Sequence, residues 1–87
     1  MTREFEITNR LGLHARAAAQ LVHLANRYAS DIRLTKDGVE VNGKSIMGVL
    51  MLAAPRESCI LVRAEGPDAE AAVEAIGDLI AAKFGEE

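Results

Sequence analysis

Aromatic side chains are scarce in this sequence: two phenylalanines, one tyrosine and no tryptophan among 87 residues. A core must therefore be packed from Ala, Val, Leu, Ile and Met, and stacking platforms for nucleobases are missing. There is no basic excess either. Ten Lys and Arg stand against 13 Asp and Glu, a formal charge of -3, whereas a nucleic-acid face concentrates positive charge against phosphates. No nucleic-acid partner is expected. Cysteine occurs once, as Cys59 inside the apolar run Cys59-Ile60-Leu61-Val62. One thiol makes neither a disulfide framework nor a metal quartet, and we expect a small buried hydrophobe in a reducing compartment. No His/Cys/Asp cluster has metal-ligand spacing and no glycine-rich nucleotide loop occurs, so neither a metal nor a cofactor is expected. No apolar run approaches the ~18 residues of a membrane span. Met1-Thr2-Arg3-Glu4 lacks the apolar stretch of a secretory leader. The expectation is a cytoplasmic protein without a membrane partner.

What is present is a balanced mixture, 49% hydrophobic and 26% charged, too apolar for disorder. At this length it reads as one domain over residues 1–87. Residues 3–8 alternate, with Phe5 and Ile7 to one side and Glu4 and Glu6 to the other, which predicts a half-buried strand. Asn9-Arg10-Leu11-Gly12 breaks the pattern and a helix begins near His14 or Ala15. Its core stripe is Ala17, Leu21, Leu24 and Tyr28; Arg16, Gln20, His23 and Arg27 repeat at the same spacing on another face, either solvated or a docking surface for acidic partners. Ile32-Arg33-Leu34 and Val39-Glu40-Val41 flank an Asp37-Gly38 pair, a hairpin signal. Ser45 caps a short apolar helix in which Ile46, Val49, Leu50 and Ala53 can face inward, leaving Met47 and Met51 near the surface, or in which Ile46 joins the two methionines in an exposed patch. Pro55-Arg56-Glu57 turns into the most apolar strand, 59–65, placed centrally in the sheet. Gly66-Pro67-Asp68 starts a last helix whose Ala72, Val73, Ile76, Leu79, Ile80 and Phe84 pack inward, with Pro67 in its first turn and Glu70, Glu74 and Asp78 facing water. The order is β-α-β-β-α-β-α, an α+β fold with helices against an antiparallel sheet.

The chemistry concentrates at Gly12-Leu13-His14-Ala15-Arg16. An imidazole at a helix start faces backbone N–H groups without intrahelical partners and the positive end of the dipole. That field disfavours imidazolium, leaving a nucleophilic neutral ring. The N–H groups of Ala15, Arg16 and Ala17 can hold a phosphoryl group placed on it, and the Arg16 guanidinium can reach the phosphoryl oxygens. His23 has no glycine, cap or dipole support, and no chemistry is expected of it. Without a nucleotide loop, phosphate has to arrive from one protein and leave to another.

The run Gly12-Leu13-His14-Ala15-Arg16, followed by Lys44-Ser45-Ile46-Met47-Gly48-Val49-Leu50, resembles the HPr family, the histidine phosphocarriers of the phosphoenolpyruvate-dependent phosphotransferase system. The resemblance covers essentially the whole chain. It implies an open-faced β-sandwich, four antiparallel strands with three helices on one face. It also implies that His14 carries phosphate on Nδ1, received from Enzyme I and passed to an EIIA-type domain, with Arg16 as the site cation. Ser45 would correspond to the serine that HPr kinase/phosphorylase modifies in some bacteria. The family usually has proline directly after the arginine, where this chain has Ala17. Arg10-Leu11-Gly12-Leu13-His14 and Leu50-Met51-Leu52-Ala53-Ala54 resemble the nitrogen-related paralogues, whereas Lys44-Ser45-Ile46-Met47-Gly48 resembles the sugar-transport type, so both branches stay open.

Under this reading the chain is a monomeric phosphorylated intermediate and not an enzyme. Gln20, Arg27, Ile46, Met47 and Met51 form the surface where partners dock. Two other readings compete with it. One is a non-carrying regulator that binds a transcription factor or enzyme, its state set at Ser45. The other is a small-molecule-binding regulatory domain of similar architecture, which leaves the His14 run without a task.

Overall fold

The structure, a computed structural model, describes residues 1–86. Alternation builds the sheet. Strands β1 (Thr2–Glu6), β2 (Asp31–Lys36), β3 (Val39–Asn42) and β4 (Cys59–Glu65) pair antiparallel in the order β1-β4-β2-β3. Each of Ile60, Val62 and Ala64 points inward from β4 and each intervening residue points out, the period-2 signature of a sheet covered on one face. Helices α1 (Ala15–Ala25), α2 (Ile46–Met51) and α3 (Ala69–Ala81) supply the cover. This is the expected open-faced α+β sandwich in the expected order. A turn over Lys83–Gly85 follows α3 and was not anticipated.

The Asp37-Gly38 hairpin forms as a two-residue turn between the paired Lys36 and Val39. Both turn residues have positive φ, 52° and 82°, the geometry that matches strand twist. The core holds Ile7, Leu21, Ile32, Leu34, Val49, Ile60, Val62 and Ile76, each nearly or fully inaccessible. Ala17, Ala18 and Ala25 lie under α1 with no exposure, so that helix packs through small side chains. In mid-α3, Gly77 clears room for the Phe5 ring, whose Cε1 would stand 2.6 Å from an added Cβ.

Several expectations are corrected. Cys59 is exposed and not buried: β4 is central as expected, but its outer face carries no helix, and the register puts the thiol there. Helix α1 stops at Ala25, before Arg27 and Tyr28. Asn26 ends it by donating from Nδ2 to Val22 O at 2.9 Å and to Lys44 O at 3.3 Å, so Tyr28 is only partly buried and Arg27 lies beyond the helix. His23 therefore sits in the last turn of α1. In α2, Ile46 and Ala53 are exposed and Leu52 takes the inward position, because the helix is only six residues long and Ala53 already turns off it with φ 49°.

Pro67 precedes α3, whose N-cap is Asp68. The Asp68 carboxylate reaches outside its own helix and accepts from Ala29 N and Ser30 N, each at 2.9 Å, and from Ser30 Oγ. The Ser30 hydroxyl first, then the Ala29 N–H, hold this carboxyl below its ordinary value. A depressed folded value means stability that is present above the ordinary carboxylate range and lost as pH falls through it. Asp68→Asn should flatten the acid limb of stability below the ordinary carboxylate range, as read by urea unfolding at each pH. An unchanged limb would remove Asp68 from the account.

Candidate functional site

Four segments meet around His14. The loop from β1 to α1 turns at Gly12, with φ +68°. There an added Cβ would lie 2.5 Å from Ala54 O and 2.9 Å from Pro55 Cα, so glycine is required both for conformation and for space. The next residue, Leu13, donates from its N–H to Ala54 O at 2.8 Å. This ties the His14 loop to the segment that leaves α2 and fixes where α1 begins.

His14 is the N-cap of α1, in extended conformation. Its Nδ1 accepts from Arg16 N at 3.1 Å and, more weakly, from Ala17 N at 3.4 Å. An N–H cannot face another N–H, so Nδ1 carries the lone pair and the ring proton sits on Nε2. Nε2 lies 2.6 Å from Glu86 Oε2. The helix N-terminus lies against one edge of this ring, as its sequence position predicts, and the Glu86 carboxylate lies against the opposite edge. Of the three N–H groups expected to stand ready for phosphate, those of Arg16 and Ala17 are engaged by the ring itself.

Glu86 and Asn9 are the residues that sequence reasoning missed. Asn9 is fully buried; its Nδ2 donates to Gly12 O at 2.8 Å and to Glu86 Oε2 at 3.1 Å. The His14 ring first, then Asn9 Nδ2 and the Leu11 N–H, hold the Glu86 carboxyl below its ordinary value against desolvation. Glu86 is delivered by the turn after α3. Lys83, Phe84 and Gly85 all have positive φ, 56°, 54° and 80°, and Phe84 is buried in the core as an anchor.

Arg10, Leu11, His14, Arg16, Gly85 and Glu86 line a shallow pocket of about 560 Å³. Arg16 is exposed and makes no ion pair among the described residues. Ala15 is exposed beside it, and Gln20 is half-buried. Leu11, which lines this pocket, is exposed, and so are Ile46, Met47 and Met51 of α2, the two methionines by 72% and 73%. Ser45 caps α2 as expected, its Oγ accepting from Gly48 N at 3.1 Å. It lies at the far end of α2 from His14, since α2 leaves toward Leu13 through Ala54 while its start adjoins Asn26 and Lys44. Six residues span about 9 Å at 1.5 Å each, so Ser45 stands at the opposite end of α2 from the segment that meets Leu13. Among the described residues no group of three or more His, Cys, Asp or Glu could hold a metal ion, and no helix is long and apolar enough to cross a membrane.

The sequence profile described as the PTS HPr component phosphorylation site matches residues 1–82. The phosphocarrier protein HPr of Cupriavidus necator is 45% identical over 86 residues, 99% of this chain and 97% of its own. The chain belongs to the HPr family. Its fold is similar to that of HPr-C-His from Thermoanaerobacter tengcongensis, with a TM-score of 0.97 at 45% identity over 100% of this chain and 98% of that one. An HPr dimer from the same organism matches with a TM-score of 0.81 at 46% identity, over 94% of each chain. An HPr chain is a phosphocarrier of the phosphotransferase system, not a catalyst with its own turnover. Where HPr usually has proline, this chain has Ala17, and proline has no N–H. The contact from Ala17 N to the His14 ring is therefore one the usual HPr residue could not make.

Proposed function

We propose that His14 accepts a phosphoryl group on Nδ1 from phosphorylated Enzyme I and passes it to an EIIA-type domain. One observation carries this reading: the lone pair of Nδ1 points at the N-terminus of α1 while Nε2 is protonated and held by Glu86. In the transfer the Nδ1 lone pair attacks phosphorus, and the bond from phosphorus to the donor's leaving atom breaks with its electron pair. The Nε2 proton stays in place, so the ring takes up the positive charge. The ring moves off the helix end, and the N–H groups of Ala15, Arg16 and Ala17 turn to the phosphoryl oxygens together with the Arg16 guanidinium. Giving up the ring's capping bonds costs about 1 kcal/mol, little beside the positioning and charge stabilisation that phosphoryl transfer requires. Incubation with phosphoenolpyruvate, Mg²⁺ and Enzyme I should add one acid-labile phosphate, read by intact mass before and after acid. Absence of label on the parent chain would sink the carrier reading.

Partners dock on the apolar patch of Ile46, Met47 and Met51 with Gln20 and Arg27 at its margins, and one chain suffices for each encounter. Phosphorylation of Ser45 by an HPr kinase/phosphorylase would place a charge of about -2 at the start of α2, across the patch from His14. It acts on docking and leaves the chemistry at His14 intact. Ser45→Asp should accept phosphate from Enzyme I more slowly than the parent in a time course; equal rates would remove the inhibitory role.

A further inference from the structure

We propose that Asn9 and Glu86 are positioning residues for phosphoryl transfer: buried Asn9 fixes the Glu86 carboxylate, which holds the Nε2–H of His14 and directs the phosphoryl group to Nδ1. The inference rests on the reading of His14 as the acceptor. Three observations converge on it. A single oxygen, Glu86 Oε2, receives both His14 Nε2 at 2.6 Å and Asn9 Nδ2 at 3.1 Å, so the ring, carboxylate and amide form one chain. Asn9 Oδ1 is buried and has no partner among the described residues; both neighbours of the amide nitrogen are acceptors, which excludes the flipped orientation. An unsatisfied buried oxygen carries a desolvation penalty that stability alone does not explain. The turn that brings Glu86 here places two non-glycine residues, Lys83 and Phe84, in left-handed conformation, which L side chains disfavour. Backbone strain of this kind gathers at functional sites.

The chemistry follows from the two edges of the ring. A dianionic phosphoryl group approaching Nε2 meets the Glu86 carboxylate, whereas at Nδ1 it meets backbone N–H groups and Arg16. Once the P–N bond forms at Nδ1, the ring is cationic as long as Nε2 keeps its proton, and Glu86 stabilises that state. In the outgoing step the P–N bond breaks, its electron pair returns to Nδ1, and the ring leaves as neutral imidazole without losing or gaining a proton. Glu86 thus supports acceptance and donation alike. The other charged groups lining the pocket are Arg10 and Arg16, and both remain when Glu86 is changed.

Glu86→Gln keeps an acceptor of the same reach and removes the charge. We expect its turnover as an acceptor of Enzyme I phosphate to fall about 10–100-fold, by analogy with the loss of a carboxylate that holds the second ring N–H of a metal-binding histidine, with KM for the chain little changed. A structural role would not alter a second readout. In the isolated phosphorylated chain, the pH above which hydrolysis slows should move lower in Glu86→Gln, because Nε2 then loses its proton more easily. Asn9→Ala should shift it in the same direction; any unfolding of that variant leaves Glu86→Gln as the deciding one. Parent-like kcat and an unmoved hydrolysis profile, with His14 phosphorylated in the parent, would overturn this proposal alone. A parent chain not phosphorylated on His14 would overturn it together with the carrier reading.

Discussion

His14→Ala should take up no acid-labile phosphate under conditions in which the parent chain is fully labelled. The loss is complete because, among the described residues, Nδ1 of His14 is the side-chain lone pair that faces Arg16 N and Ala17 N at the start of α1. The substitution also removes the cap, which costs about 1 kcal/mol and lowers the melting midpoint by about 4–8 °C for a chain of this size. Folding and function can be separated with His14→Asn, since asparagine is among the best N-caps but is not a phosphoryl acceptor. That variant should melt near the parent and still carry nothing. His23→Ala, altering an exposed side chain, should label as the parent does. Label retained in folded His14→Asn would place the acceptor elsewhere.

Gly12→Ala should destabilise the chain strongly. At φ +68° alanine is disfavoured by about 1–2 kcal/mol. The new Cβ would also stand 2.5 Å from Ala54 O, inside any real contact. Neither partner is a flexible side-chain tip: both are backbone, and Ala54 O accepts the Leu13 N–H at 2.8 Å. Relief must move the loop that aims His14. A total loss of about 3 kcal/mol is expected, a fall in midpoint of roughly 12–24 °C, measured by calorimetry or urea unfolding. Phosphoryl acceptance should drop with it at temperatures where the variant is still folded. A loss below about 1 kcal/mol would mean that the loop has slack the structure does not show.

Local signals were read well wherever the physics was local. Asp37-Gly38 named its turn, Ser45 named its cap, and Gly12 before His14 named the start of α1, because each depends on residues within a few positions. The misreadings came from partners distant in the chain. Cys59 lies in an apolar run whose period-2 pattern fits either face; only the absence of a helix over the outer side of the sheet decides. Arg27 continues a helical spacing that Asn26 ends by bonding to Lys44 O, 18 residues on. Glu86 meets His14 across 72 residues, and its approach depends on left-handed φ at Lys83 and Phe84, conformations that neither residue type advertises. Two weak signals were present: a buried-type Phe84 followed by glycine just past α3, and an asparagine, Asn9, two residues after the core Ile7.

The central claim is that His14 relays phosphate through Nδ1, with the α1 N-terminus on one edge of the ring and Glu86 on the other. Nitrogen and phosphorus NMR of the chain phosphorylated by Enzyme I tests it most directly. The account predicts that phosphorus couples to Nδ1 of His14, that the proton remains on Nε2, and that the Arg16 and Ala17 amides shift as they exchange the ring for phosphoryl oxygens. Phosphorus coupled to Nε2, or to His23 or Ser45 with His14 unmodified, would contradict it.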